Sequence, residues 1–273
     1  MFEAKRQRST LGLIFNLAEM TFHASVRKVR QAHRNALMAI ILNIFQSVLF
    51  IAAFYLMFNV LGTRGVAIRG DFMLYLLTGI FLYLTHIKAL GAVLGSEGPA
   101  SPMMMHAQMN TIVAIVSSAL SALYLQTISL FVLLFLIHVL INPVEIQHWD
   151  MAFMMYLLAW FSGCAAGIVL LALKPWLPDL ISIIQMVYVR ANMIASGKMF
   201  VANMLPSALI GIFDWNPLFH IIDQMRGFVF INYNPHHSNW EYPIYVSIAL
   251  VTLGLMGEFY SRKHASASWS AGR

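Results

Sequence analysis

Two basic side chains, Arg190 and Lys198, stand inside an apolar run long enough to cross a bilayer, and no acidic residue accompanies them there. A lipid-facing Arg deep in such a run costs about 2.5 to 3.5 kcal/mol. Arg190, about ten residues or roughly 15 Å into the run, is therefore expected to face protein or a water-filled path. It is the leading pore-lining candidate, and the competing reading is a buried Arg bonded to carbonyls of a neighbouring helix. Lys198, near the far end, either borders the same path or snorkels to the headgroups.

The chemistry that is missing narrows the function. None of the 11 acidic residues falls well inside an expected span, and Glu258 stands at the end of the last one. Ion-coupled carriers and pumps need a carboxylate near the midplane, and none is offered here. Gly197-Lys198 is followed by Met199 and has no glycine five positions upstream, so it does not read as a phosphate-cradling loop. The ten His residues are scattered; only His236 and His237 are adjacent, with no third ligand at metal-site spacing. Neither a Ser, His and acid arrangement nor a carboxylate pair inside the bilayer suggests catalysis. We expect no catalytic residue, no metal and no cofactor held by this chain.

The elements that must position Arg190 follow from composition. With 60% hydrophobic and 10% charged residues, the sequence reads as an all-α integral membrane protein in one domain, 1–273. Six stretches, about 36–60, 72–94, 111–141, 151–173, 180–204 and 243–260, are each long enough to span. The third must tilt, kink or project. Residues 9–30 form an amphipathic helix in the membrane interface, with Phe15, Phe22, Val26 and Val29 on one face and Glu19, His23, Arg27 and Arg30 on the other. Its basic face suits either anionic headgroups or a cytoplasmic partner. The basic amino end precedes any long apolar run, so the first span is expected to stay as an anchor, and the single Cys164 forms no intrachain disulfide.

Charge sets the expected orientation. With the amino end inside, segments 1–35, 88–110, 174–179 and 261–273 hold twelve Lys and Arg, against Arg64, Arg69 and Arg226 on the other side. Both termini are expected in the cytoplasm. Between the last two spans, residues 206–235 are too apolar for a solvated loop and too short to span. Pro206 and Pro217 break or start helices, and Leu218, Ile221, Ile222 and Met225 recur at helical spacing. We expect two short surface or re-entrant helices on the outer face; a simple outer connection is the alternative. Trp215 and Tyr233 flank this insertion and are candidates for stacking on a sugar.

The run Ser196-Gly197 through Phe200, then Leu205-Pro206, Trp215-Asn216-Pro217-Leu218, His220 and Arg226, resembles the fifth span and outer helices of type-2 ABC transporter permeases, those exporting capsular or O-antigen polysaccharides. The chain departs from that family at residues 27–47, where Arg34-Asn35-Ala36-Leu37 replaces a Gly-Tyr step and no Glu-Pro pair follows. The resemblance implies a multi-pass permease of the bacterial inner membrane that pairs with a second copy of itself and with two copies of a cytoplasmic ATPase, which binds ATP and Mg. It implies ATPase contacts at Arg27, Arg30 and Glu97, and an outer gate at Asn216, Pro217, His220 and Arg226. It also implies a path past Arg190, Lys198, Trp215 and Tyr233, a lipid-linked glycan as cargo and periplasmic export proteins as further partners. No nucleic acid is expected. The alternative is an integral membrane enzyme acting on polyprenyl-linked sugars through Asp214, His220, Asp223 and Arg226.

Overall fold

A computed structural model describes residues 10–32, 36–60, 71–98 and 111–264. The described residues contain helices and connections and no strand. In chain order the helices are α1 (Thr10–Ala32), α2 (Ala36–Val60), α3 (Phe72–Leu94), α4 (Thr111–Leu140), α5 (Trp149–Leu173), α6 (Pro178–Ala195), α7 (Ser207–Phe213), α8 (Pro217–Val229) and α9 (Glu241–His264). Residues 1–9, 33–35, 61–70, 99–110 and 265–273 lie outside the description, as do the side chain of Arg30 and the charges counted at Arg64 and Arg69.

Five helices, α2, α3, α4, α5 and α9, are long and apolar enough to cross a membrane. The protein is thus an α-helical, multi-pass membrane protein. The stretch 180–204 was expected as another full span, but its helix, α6, has 18 residues and ends at Ala195. The reason is local: Gly197 takes φ +74°, a left-handed conformation that glycine adopts without steric cost. The chain then turns through a 3-10 segment, Ala202–Met204. At 1.5 Å per residue the 30 residues of α4 reach about 45 Å, so this helix tilts or projects as expected.

Helix ends follow capping chemistry. Asp71 accepts from the backbone N–H of Met73 and Leu74 at the start of α3, and Pro178 opens α6. Arg262, Lys263 and His264 sit in the last turn of α9, where the helix dipole favours positive charge.

The core is α3 against α5. Their apolar windows are 78% and 67% buried, against 22% for α2 and α9. Gly163 and Gly167 let the two backbones meet: a Cβ at Gly163 would collide with the His86 carbonyl oxygen, and one at Gly167 would come within 2.9 Å of that of Leu90. Gly254 brings α9 onto Ile168 of α5 in the same way. The similar spacing at Gly91 and Gly95 makes no such crossing, since Gly91 approaches only the Gln185 side chain, at 3.9 Å. Ser117 and Ser121 bond carbonyls of their own helix.

Within α3, residues Leu77–Phe81 form a π segment. We call the end of the bundle where α3 and α5 begin, and where α7 and α8 lie, the hairpin end.

Candidate functional site

The two short helices of the insertion differ sharply. α7 buries no side chain, whereas α8 is buried along nearly its whole length and packs on α5, α9 and the π segment of α3. Asn216 joins α8 to α6: its Oδ1 accepts from Leu218 N (3.0 Å), and its Nδ2 donates to Asn192 Oδ1 and Ala195 O (both 3.0 Å). One side chain thus caps the start of α8 and a free carbonyl at the end of α6. Pro217 follows as the first helical residue.

Arg226 forms the joint on which α8 sits. Only 1% exposed, it donates to three carbonyls of the chain after α6: Gly197 O (2.9 Å), Phe200 O (2.6 Å) and Lys198 O (2.9 Å). Its guanidinium lies 4.3 Å from the Tyr75 ring. Gly79 completes the joint, because a Cβ there would come within 2.8 Å of the guanidinium and 2.9 Å of Lys198 O.

Lys198 neither snorkels nor borders an open path. It is fully buried, its Nζ 3.7 Å from the Tyr83 ring centre, 4.6 Å from Phe54 and 4.8 Å from Phe50. Three π faces replace hydrogen-bond partners around this ammonium. The box ties α2 to α3 through a residue from neither helix.

The insertion closes on itself. His220 Nδ1 accepts from Asn239 N (3.2 Å), so Nε2 carries the proton donated to Asp214 O (2.7 Å). Asp223 accepts from the hydroxyls of Tyr233 and Ser238. Burial, and then the Asp223 carboxylate beside it, hold the Tyr233 phenol above its ordinary pKa. Tyr233 was expected on a sugar path, but it is buried and bonded inside the fold. Trp215 is 65% exposed and remains open to a ligand.

Arg190 has a different setting. It is exposed on α6 and makes no hydrogen bond or ion pair among the described residues. Exposed Ile183, Val187 and Ile194 flank it on the same face. It lies five residues before the end of α6, about 8 Å, nearer the hairpin end than a full span over 180–204 would put it. The inner face of α6 is held by polar side chains. Tyr83 donates to Val189 O (3.0 Å). Tyr188 donates to His86 Nε2 (2.8 Å), His86 Nδ1 donates to Ser162 Oγ (2.9 Å), and Ser162 donates to Ala159 O (3.0 Å).

Sequence reasoning missed this tether, as it missed Lys88, which donates to Asn43 Oδ1 at 2.6 Å. Lys88 had been counted as a loop charge, yet it lies inside α3. The signal available was an ionisable residue within an apolar stretch. Glu258, expected at the end of the last span, is buried at 3% exposure.

On α1, Arg27 is exposed and shares a shallow cleft with Glu19, Met20, His23 and Val113 of α4. Phe15 and Phe22 are 75% and 65% exposed, so the described residues leave this part of the expected apolar face uncovered. Glu97 is half-buried in the turn after α3. Among the described residues no three His, Cys, Asp or Glu gather at metal-binding range. No protein-family model matches the chain, and no curated protein matches it.

Proposed function

We propose that this protein is the membrane-spanning permease subunit of an ATP-driven exporter, moving a polysaccharide or lipid-linked glycan across a bacterial inner membrane. The observation that carries the reading is Arg190, a cation without a hydrogen bond or ion pair among the described residues, on an apolar helix face that those residues leave exposed. An Arg so placed calls for a second protein surface or a hydrated path, and a second copy facing α6 would supply both. The cargo's negative charge or sugar hydroxyls would meet the guanidinium there.

In this reading the termini lie in the cytoplasm and the hairpin end faces outward. α1, with Arg27 and Arg30, and the turn at Glu97 would receive the ATPase, whose ATP and Mg supply the work. α8 would move with the end of α6, because Asn216 and Arg226 bind the two together. The buried bonds of His220, Asp223 and Arg226 support a mechanical role for them over an enzymatic one.

The test is reconstitution of the full chain with the ABC ATPase that purifies with it from native membranes. Expected is nucleotide-dependent movement of glycan into vesicles, lowered about tenfold or more by Arg190→Ala with the assembly intact. Export without nucleotide, or an unchanged rate in Arg190→Ala, would overturn the reading.

A further inference from the structure

At the hairpin end an apolar groove of about 360 Å³ lies between α3, α4 and α5, walled by Leu77, Phe81, Leu130, Leu134 and Phe153. Trp149 and Phe131 at its rim are exposed, so it opens sideways, where lipid would lie. Its two polar neighbours are already bonded: Thr78 donates to Tyr75 O, and Tyr156 pairs with Thr127. The groove is therefore dry. Leu77, Thr78 and Phe81 come from the π segment of α3, the kind of local widening that recurs at functional sites.

Leu74, Ile146 and Val229 line this groove and also a polar cleft of about 710 Å³, so the two adjoin. Asp71, Asn142, Glu145, Gln147 and Asn232 line the cleft, and among the described residues no Lys or Arg does. Along α3 the groove runs from Leu74 to Leu82, about 12 Å, close to half of a hydrocarbon core about 30 Å thick. A polar, acidic mouth adjoining an apolar channel one leaflet deep matches one kind of ligand.

We infer that this is a binding site for a phospholipid with an ammonium headgroup, of phosphatidylethanolamine chemistry, from the leaflet at the hairpin end. One acyl chain fills the groove, the ammonium meets the Glu145 and Asp71 carboxylates, and the amides of Gln147 and Asn232 donate to the phosphodiester. Met225 of α8 also lines the groove, so the bound chain touches the helix that Arg226 anchors. The inference stands apart from the transport reading, since it needs neither an ATPase nor a glycan.

Native mass spectrometry of the purified full chain, titrated with phosphatidylethanolamine or phosphatidylglycerol, tests it. Expected is one phosphatidylethanolamine per chain, held about 3-fold more tightly than phosphatidylglycerol, the scale of one solvent-accessible ion pair. Glu145→Gln, at an exposed position, should remove that preference and leave the fold unchanged. Leu134→Trp, which fills the groove, should weaken both lipids about tenfold, the worth of about two buried methylenes. Leu130→Trp, one turn away, serves if that variant does not fold. Equal retention of phosphatidylglycerol by the unaltered protein overturns the headgroup assignment, and undiminished lipid in both Trp variants overturns the groove. Crosslinking of Trp149→Cys between two copies, with lipid released, would assign the groove to a second copy and overturn the inference as well.

Discussion

Arg190 and Arg226 solve the placing of a guanidinium among apolar side chains in opposite ways. Arg226 is sealed in, its two terminal nitrogens bonded to the Gly197, Lys198 and Phe200 carbonyls and its face laid on Tyr75. Arg190 stands bare on α6 between Val187 and Ile194. The difference lies in what surrounds each charge: Arg226 is enclosed by carbonyls and a ring of its own chain, whereas Arg190 makes no hydrogen bond or ion pair among the described residues. An Arg facing lipid at the depth of a membrane helix is costly, and that cost is what the proposed function answers with a second surface or a hydrated path.

The sharpest way to break the comparison is at the sealed joint. Arg226→Met leaves the Lys198 and Phe200 carbonyls without their donor and Gly197 O with only the Phe200 N–H, which at 1 to 3 kcal/mol for each unsatisfied buried group should cost about 2 to 6 kcal/mol and lower the unfolding temperature in detergent. An unchanged midpoint would mean that the joint is not holding α8. Gly79→Val, which drives a branched side chain at the same guanidinium, should cost about 1 to 3 kcal/mol by overpacking, read by the same melt.

Smaller effects sharpen the contrast on the side of α6. His86→Phe removes the acceptor for Tyr188 and the donor to Ser162, and should loosen α6 by about 1 to 3 kcal/mol, seen as faster amide exchange there. Arg190→Ala should change stability by less than about 0.5 kcal/mol while lowering export; a large loss of stability would place it with Arg226 after all. The smallest effect concerns pH. Because folding raises the Tyr233 phenol above its ordinary value, its contribution is whole below about pH 10 and is lost as pH rises beyond that. Hairpin protection against proteolysis should therefore stay flat to about pH 10 and fall above it.

Much of the fold was legible because length and apolarity are local quantities. The starts of α2, α3, α4 and α8 fall within a residue of the expected stretches, and Asn216-Pro217 announced a helix start through its capping chemistry. The fifth expected span, 180–204, was misjudged because one residue, Gly197, turned the chain back after Ala195, and apolar content does not register a positive φ. Arg190 and Lys198 looked alike on paper, as cations eight residues apart in one run. Only three-dimensional packing separated them, since the rings around Lys198 belong to Phe50, Phe54 and Tyr83, far away in the chain.

The amino-acid order by itself determined that this chain lives in a membrane, where most of its helices lie along the sequence, and that no acidic residue stands well inside an expected span. Tertiary structure alone decided which polar residues are spent on holding the bundle and which are left open. The reason is physical: helix formation and membrane partition depend on neighbours within a few turns, whereas the fate of a buried charge depends on carbonyls and rings contributed from remote segments.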